Sequence, residues 1–528
     1  MPDRKEVIVG FISAAVIFIT LFITGVTIKN DPLLHQAMTF GILARQISSV
    51  YPFPIEQTGM FDRAEQSMMD LLDPFSFRMA GREFDNLLEE STGEYGGIGI
   101  SVIARDTVLM IMSVHEEGPG YAAGLKTGDF IIAIDGHPVA RDNPSVAINA
   151  IRGKPGTTLQ LTVYRPMLND TLPLRLTREI IKLEHVIYAG MTADSLAYIR
   201  MADFEAGATE QLKEAVAELE AKQPLGYIID LGGNPGGYLD EAITAAGVFL
   251  DRGRLVVGTR GRSRWDSRTY ETTSRPLTDK PLVIMTDRGT ASAAEIFSGA
   301  IHGAGRGVVV GDTTFGKGLV QTIIGLPRHG ALRLTTARYY FADGRFLNPP
   351  DSALTFTGLA PDVVFQEPGE ATFRGMILSG FLLYDFIESQ WEMLRQLPDD
   401  FDFPGTVVPI LRQYAESRGL IYRSRMTAVL DETVQQQRLD QGAKEIIAAL
   451  DRLRQISAAF DRAAYDRERD FLTFYLRRVT IERKSGRSAA YRQVIVPSRP
   501  DIRQATEILL VPGHYRQILQ GALAQKHS

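Results

Sequence analysis

Hydrophobic and polar positions change rhythm several times along the chain. From Val7 to Ile28 run 22 residues without a charge. As a helix at about 1.5 Å per residue they would reach roughly 33 Å, the thickness of a bilayer's hydrocarbon core. Arg4 and Lys5 precede the stretch and Lys29 follows it, a weak bias toward a cytoplasmic N-terminus. No small-x-small cleavage site stands out near Gly25, so the pattern predicts a retained anchor over residues 1–30 rather than a removed signal.

Residues 31–91 read as short helices broken at Tyr51-Pro52-Phe53-Pro54 and Leu72-Asp73-Pro74. Residues 92–166 turn β-rich around glycine clusters, including an apolar strand from Phe130 to Ile134 that runs into Asp135-Gly136. Between about 194 and 340, strands alternate with amphipathic helices. Leu212, Val216 and Leu219 share a helical face that Pro224 stops, and Tyr227 to Leu231 reads as a buried strand. Ala242, Ile243, Ala246, Phe249 and Leu250 then mark the next helix. This alternation predicts an α/β layer over 167–365. Beyond 366 long helical patterns take over, with Ile446, Leu450, Leu453, Ile456 and Phe460 at helical spacing. From Asp451 to Arg492 there are 11 basic and 6 acidic residues, which reads as a solvated helix or a docking face for an anionic partner.

At 528 residues the chain needs more than one core. A formal charge of -6 provides no field for nucleic acid, and none is expected as a partner. With Cys at 0, disulfides, thiolate nucleophiles and thiolate metal sites are excluded.

Four glycine-bearing segments could carry chemistry. Gly97-Ile98-Gly99-Ile100 is either a flexible loop or a nest of N–H groups that takes a peptide's C-terminal carboxylate at a strand edge. Asp230-Leu231-Gly232-Gly233-Asn234-Pro235-Gly236-Gly237 ends a strand and opens a helix. It is either a structural turn, a phosphate site or a set of oxyanion donors. Gly311 to Gly318 mimics a phosphate loop but has Gly318 where a hydroxyl is needed, and β-branched residues follow instead of a helix, so a nucleotide site is rejected. Its Lys317 is either a surface group or an amine held in a confined turn. In Gly289-Thr290-Ala291-Ser292-Ala293-Ala294-Glu295, Ser292 either caps a helix or is a nucleophile with small neighbours.

A serine needs a base. There is no G-x-S-x-G elbow and no H-E-x-x-H motif. His302, ten residues on, lies about 1000° around a helix and on another face. Lysine can serve if desolvation lowers its pKa from about 10.4 to about 7–8, at roughly 3–5 kcal/mol.

In combination these segments resemble the carboxy-terminal processing, or tail-specific, proteases of the S41 type, from about residue 60 to 365. The order is a PDZ-like domain (92–166), the Asp230–Gly237 turn, the Ser292 segment and Thr314-Phe315-Gly316-Lys317-Gly318-Leu319-Val320-Gln321. Leu334 to Tyr340 and Gly358 to Asp362 resemble the closing strands and tail. The resemblance implies a multidomain α/β protein: a PDZ-like domain before a crotonase/ClpP-like layered protease core, with helical ends at 31–91 and 366–528. It implies Ser292 as nucleophile, Lys317 as base 25 positions later, Gln321 as the residue orienting the lysine, and oxyanion donors on Ala293 and Gly236 or Gly237. Gly97 to Ile100 would bind peptide, and Arg152 matches a PDZ residue coupling that binding to the protease. No metal or cofactor is expected. Expected partners are unfolded or C-terminal peptide segments, the membrane, and a further copy or an adaptor; the expected location is a bacterial inner membrane with the body on the periplasmic side. Three departures stand out, one being that the region after 366 exceeds the common family core and resembles helical extensions of some members. Gly232 replaces an arginine that would brace the turn, and Ala294 replaces a serine. The rival readings are a catalytically silent PDZ scaffold and a protease gated through its helical C-terminal region. Four residues of straight strand span about 13 Å, so the chain must curl at Gly316-Lys317-Gly318 if Gln321 is to reach Lys317.

Overall fold

The computed structural model describes residues 31–80, 94–105, 107–115, 117–139, 144–165, 170–262, 265, 267–326, 330–348, 355–365, 369–379, 382–398, 401, 403–439 and 444–525. Two compact units divide the chain, residues 1–78 and 79–528. The first contains α1 (Pro32–Val50), whose N-terminus Asp31 caps by accepting the Leu33 N–H at 2.9 Å, and α2 (Gln57–Met69). The expectation of a single-pass inner-membrane location is corrected here. Among the described residues no helix is long and apolar enough to cross a membrane. The Val7–Ile28 stretch on which it stood lies outside the described residues, and α1 breaks its apolar positions with His35, Gln36, Arg45 and Gln46.

In the second unit, β1 (Glu94–Gly97), β2 (Ile100–Arg105), β3 (Val108–Val114), β4 (Phe130–Ile134), α3 (Pro144–Ile151), β5 (Thr158–Arg165), β6 (Asp170–Thr177) and β7 (Glu179–Lys182) form the PDZ-like part. β2-β3-β4-β5-β6 is an antiparallel sheet, and β1 pairs with β7. Alternate residues Leu159, Leu161 and Val163 of β5 point into its core with Leu109, Ile131 and Ile98.

The next layer is a six-stranded sheet in the order β8 (Val186–Met191), β9 (Ala197–Met201), β10 (Tyr227–Asp230), β13 (Leu282–Thr286), β14 (Val308–Gly311), β17 (Val363–Val364). All neighbours after β8–β9 are parallel. Both faces are buried, which is why these strands read as unbroken apolar runs. Tyr227 and Ile229 of β10 face α4 (Ala208–Glu220), α5 (Leu239–Ala246) and α6 (Ala293–Gly303), while Ile228 faces the other way. Leu212, Val216 and Leu219 form the buried face of α4. α5 ends at Ala246, short of the spacing expected from Phe249 and Leu250, which are buried just beyond it. A second sheet contains β12 (Arg268–Glu271), β11 (Leu255–Gly261), β16 (Gly330–Tyr340) and β15 (Leu319–Leu326), paired antiparallel.

The C-terminal helices do three jobs. α7 (Leu382–Ser389), α8 (Phe403–Ser417) and α11 (Arg469–Ser485) build their own core around Phe386, Leu411 and Leu472. They also grip the PDZ-like part: Arg105 meets Asp385 through two bonds of 2.5 and 2.6 Å. Meanwhile α12 (Pro500–Leu510) lays Ile502, Ala505 and Ile508 against Tyr198, Ile228, Met285 and Val310, covering the back of the six-stranded sheet. α10 (Lys444–Arg462) pairs with α9 (Arg425–Leu439), yet Leu453, Ile456 and Phe460 are 53–61% exposed, so helical spacing located the helix without locating a core.

Candidate active site

Three chain reversals meet at the ends of β10, β13 and β14. The first, Leu231–Gly237, follows Asp230. The second, Asp287–Ala291, carries the chain from β13 into α6. One carboxylate oxygen ties them: Asp287 Oδ1 accepts the N–H of Gly233 at 2.7 Å, of Gly289 at 2.8 Å and of Thr290 at 3.0 Å. The Thr290 hydroxyl donates to Leu231 O at 2.8 Å and the Ala291 N–H to Asn234 O at 2.9 Å.

Ser292 stands between the second reversal and α6 with φ +56° and ψ −119°, a backbone region that L-residues rarely occupy. Such strain persists where surrounding bonds over-determine it. Here its N–H donates to Glu295 Oε2 at 2.8 Å. Glu295 is fully buried, and its carboxylate is saturated with donors. Oε2 also accepts the Lys317 N–H at 2.8 Å, while Oε1 accepts the Thr314 hydroxyl at 2.5 Å and the Gly316 N–H at 2.7 Å. The backbone nitrogens of Ser292 and Lys317 therefore share one oxygen and lie within twice 2.8 Å of each other. Burial pushes the Glu295 carboxyl up, against the pull of Thr314 and the three N–H groups. From the opposite side the buried Tyr339 hydroxyl donates to Ser292 O at 3.3 Å and to Lys317 O.

The Gly236-Gly237 peptide lies against this pair. A Cβ on Gly236 would come within 2.7 Å of Ser292 Cβ and 2.8 Å of the Ala293 nitrogen, and Gly236 has φ +99°. Its N–H, expected as a possible oxyanion donor, is given to Asn234 Oδ1 at 2.9 Å. Gly237 bridges Phe204 in parallel, through Phe204 N–H to Gly236 O and Tyr238 N–H to Phe204 O, each 2.8 Å, so its own N–H faces away from Phe204. Gly236→Ala is expected to lower kcat about 100-fold and to destabilise the fold by about 1–2 kcal/mol, read by steady-state kinetics and denaturant unfolding.

Lys317 is half-buried in a tight curl, where the Gly318 N–H meets Gly316 O at 3.1 Å, ahead of β15. Gln321 lies on β15 at a register shift, and its amide donates to Thr335 Oγ1 of β16 at 3.2 Å. His302 is occupied elsewhere, with Nε2 2.9 Å from Asp362. In the PDZ-like part Gly97 ends β1, Ile98 is 1% exposed in the core, Gly99 has φ +71°, and Ile100 opens β2. Arg152 follows α3, and the next residue's N–H binds Gly96 O at 3.0 Å, which draws it to the glycine segment.

Glu295, Tyr339 and Asp287 were given no role by sequence reasoning. Glu295 had a signal: a serine followed three residues later by glutamate is the spacing of a helix-capping box.

The family model for Peptidase family S41 matches residues 195–365, and that for the PDZ domain matches 96–176. The carboxy-terminal-processing protease of Bartonella bacilliformis is 33% identical over 370 residues, 69% of this chain and 82% of that protein. The carboxy-terminal processing protease CtpA of Bacillus subtilis is 32% identical over 363 residues, covering 67% and 75%. Among solved structures, the photosystem II D1 C-terminal processing protease is 24% identical over 62% of this chain and 86% of its own, with a TM-score of 0.38, too low to add to the argument. The chain belongs to the S41 family of carboxy-terminal processing serine proteases.

Proposed function

We propose that Ser292 and Lys317 form the catalytic dyad of a serine endopeptidase that acts on unfolded or C-terminal segments of proteins. The supporting observation is that one buried carboxylate oxygen, Glu295 Oε2, holds the backbone of both residues. Ser292 Oγ attacks the scissile carbonyl, Lys317 Nζ takes the hydroxyl proton and passes one to the leaving amine, and water then cleaves the acyl-enzyme. The N–H groups of Ala293 and Gly237 are the donors for the tetrahedral oxyanion, with Gly236 serving as the close-packed hinge between them. Gln321, bonded to Thr335, steadies the strand that leaves the lysine. Gly97 to Ile100 takes a substrate's terminal carboxylate, and Arg152 lies beside that segment to sense it. The parallel sheet with helices on both faces supports a crotonase/ClpP-like layering of the core.

The test is cleavage of an unstructured protein by the full chain, with and without its last few residues. Cleavage is expected to fall when those residues are removed, and to vanish in the Ser292→Ala form. Equal cleavage by the wild-type and Ser292→Ala forms would overturn the assignment of the nucleophile.

A further inference from the structure

The turn assigned above to oxyanion stabilisation grows out of a buried charge. Asp230, the last residue of β10, is 0% exposed. It accepts from Arg200 Nη1 at 2.5 Å, the Tyr198 hydroxyl at 2.6 Å, Arg499 Nη1 at 2.7 Å and the Gly232 N–H at 2.9 Å. Burial alone would favour protonation, but Arg499 and Arg200 hold its carboxyl well below the usual carboxylate range.

Both guanidinium groups come from outside the turn. Arg200 sits on β9, and its Nη2 also donates to Gly232 O. A Cβ on Gly232 would stand 3.2 Å from Arg200 Nη1, Asp230 Oδ1 and Asp287 Oδ2, so Arg200 fills the place beside this residue. Arg499 arrives from 269 residues further along the chain. It caps the start of α12, where Asp501 grips it through Nε at 3.0 Å and through Nη2. A bidentate grip of this kind fixes direction as well as charge.

From Asp230 a series of hydrogen bonds, ending in one packing contact, runs to Ser292. Asp230 holds the Gly232 N–H, Asp287 holds Gly233, Asn234 O holds Ala291, and Gly236 packs on Ser292. We infer that Arg499, together with Arg200, braces the Gly232–Gly237 turn through Asp230, so that the C-terminal helical region positions the oxyanion donors of the protease core. Arg499 is a positioning residue; it reaches the chemistry only through Asp230. This rests on the reading of that turn given above.

The experiment uses the full chain and fluorescein-labelled casein, comparing wild type, Arg499→Ala, Arg499→Lys and the double form Gly232→Arg/Arg499→Ala. The double form returns a guanidinium to the turn itself. A cavity of about 990 Å³ lined by Arg200, Asp230, Gly232, Arg478 and Arg499 lies beside it, Gly232 does not have a positive φ, and the side chains of Arg200, Asp230 and Asp287 need give only a few tenths of an ångström to the new Cβ. Arg499→Ala is expected to lower kcat about 30-fold with KM within about twofold, since a small misplacement of catalytic groups is costly while binding is untouched. Arg499→Lys, which keeps the charge but loses the fork, should fall between. Gly232→Arg/Arg499→Ala should recover to within about threefold of wild type. A kcat for Arg499→Ala within about twofold of wild type overturns the inference, and so does a loss that Gly232→Arg does not recover in folded protein. If Arg499→Ala fails to fold by circular dichroism, the lysine form decides: wild-type kcat overturns, and a reduced kcat restored by Gly232→Arg supports. Wild-type and Ser292→Ala proteins that are equally inert would instead mark failure of the proposed dyad.

Discussion

Lys317→Ala is expected to lower kcat/KM on an unstructured protein by at least about 10⁴-fold, with the loss in kcat and KM nearly unchanged. The serine hydroxyl is a weak nucleophile until a neighbour takes its proton, and His302, the histidine ten residues along, is bound to Asp362. Ser292→Ala should cost as much, and the double substitution no more than either alone, the result expected of two groups that act in one step. Lys317→Arg should be equally inert: a guanidinium stays protonated and cannot serve as base. Substituting a half-buried side chain whose backbone N–H stays on Glu295 should leave the melting temperature within about 2 °C of wild type. Multiplicative losses in the double form, or turnover by Lys317→Arg, would show that the base lies elsewhere.

Much of the architecture around this candidate site was legible because its parts are local. Strands β10, β13 and β14 are each short apolar runs that end at a glycine-bearing turn, and both faces of their sheet are buried, so no polar alternation blurs them. The β-branched run after Gly318 is a strand, as its residues require. What stayed hidden depends on distance in sequence. Nothing in Asp230 or Arg499 taken singly announces a pair 269 positions apart. The same holds for α12, whose apolar residues show a face but not that the protease sheet lies under it. Periodicity also misleads in the other direction: α10 keeps its apolar spacing and leaves that stripe in solvent. Glu295 was hidden differently. A charged residue one turn into a helix reads as solvated, and only the convergence of four donors explains its burial.

Glu295→Gln is expected to lower kcat about 100- to 1000-fold and to destabilise the fold by about 2–4 kcal/mol. The substitution keeps shape and changes one acceptor into a donor. If the new NH₂ takes the Oε2 place, the N–H groups of Ser292 and Lys317 both face hydrogens. If it takes the Oε1 place, the Gly316 N–H loses its acceptor and the Thr314 hydroxyl must turn, although its oxygen already accepts the Leu359 N–H at 2.7 Å. Either way the positive φ of Ser292 loses part of what holds it. Acid should reach the same group reversibly. Burial raises the Glu295 pKa above the ordinary 4.5, with Thr314 and the N–H groups opposing. In the window between, the native state binds more protons than the unfolded one, so this residue's contribution to stability grows as pH falls and is lost as pH rises through the folded-state pKa. Wild-type kcat should therefore fall in acid through two protonations, that of the general base and, at a pH above 4.5 where the melting temperature still holds, that of Glu295, and the residual activity of Glu295→Gln should keep only the first. Full activity in Glu295→Gln, or an acid limb that follows unfolding step for step, would remove the carboxylate from its place between nucleophile and base.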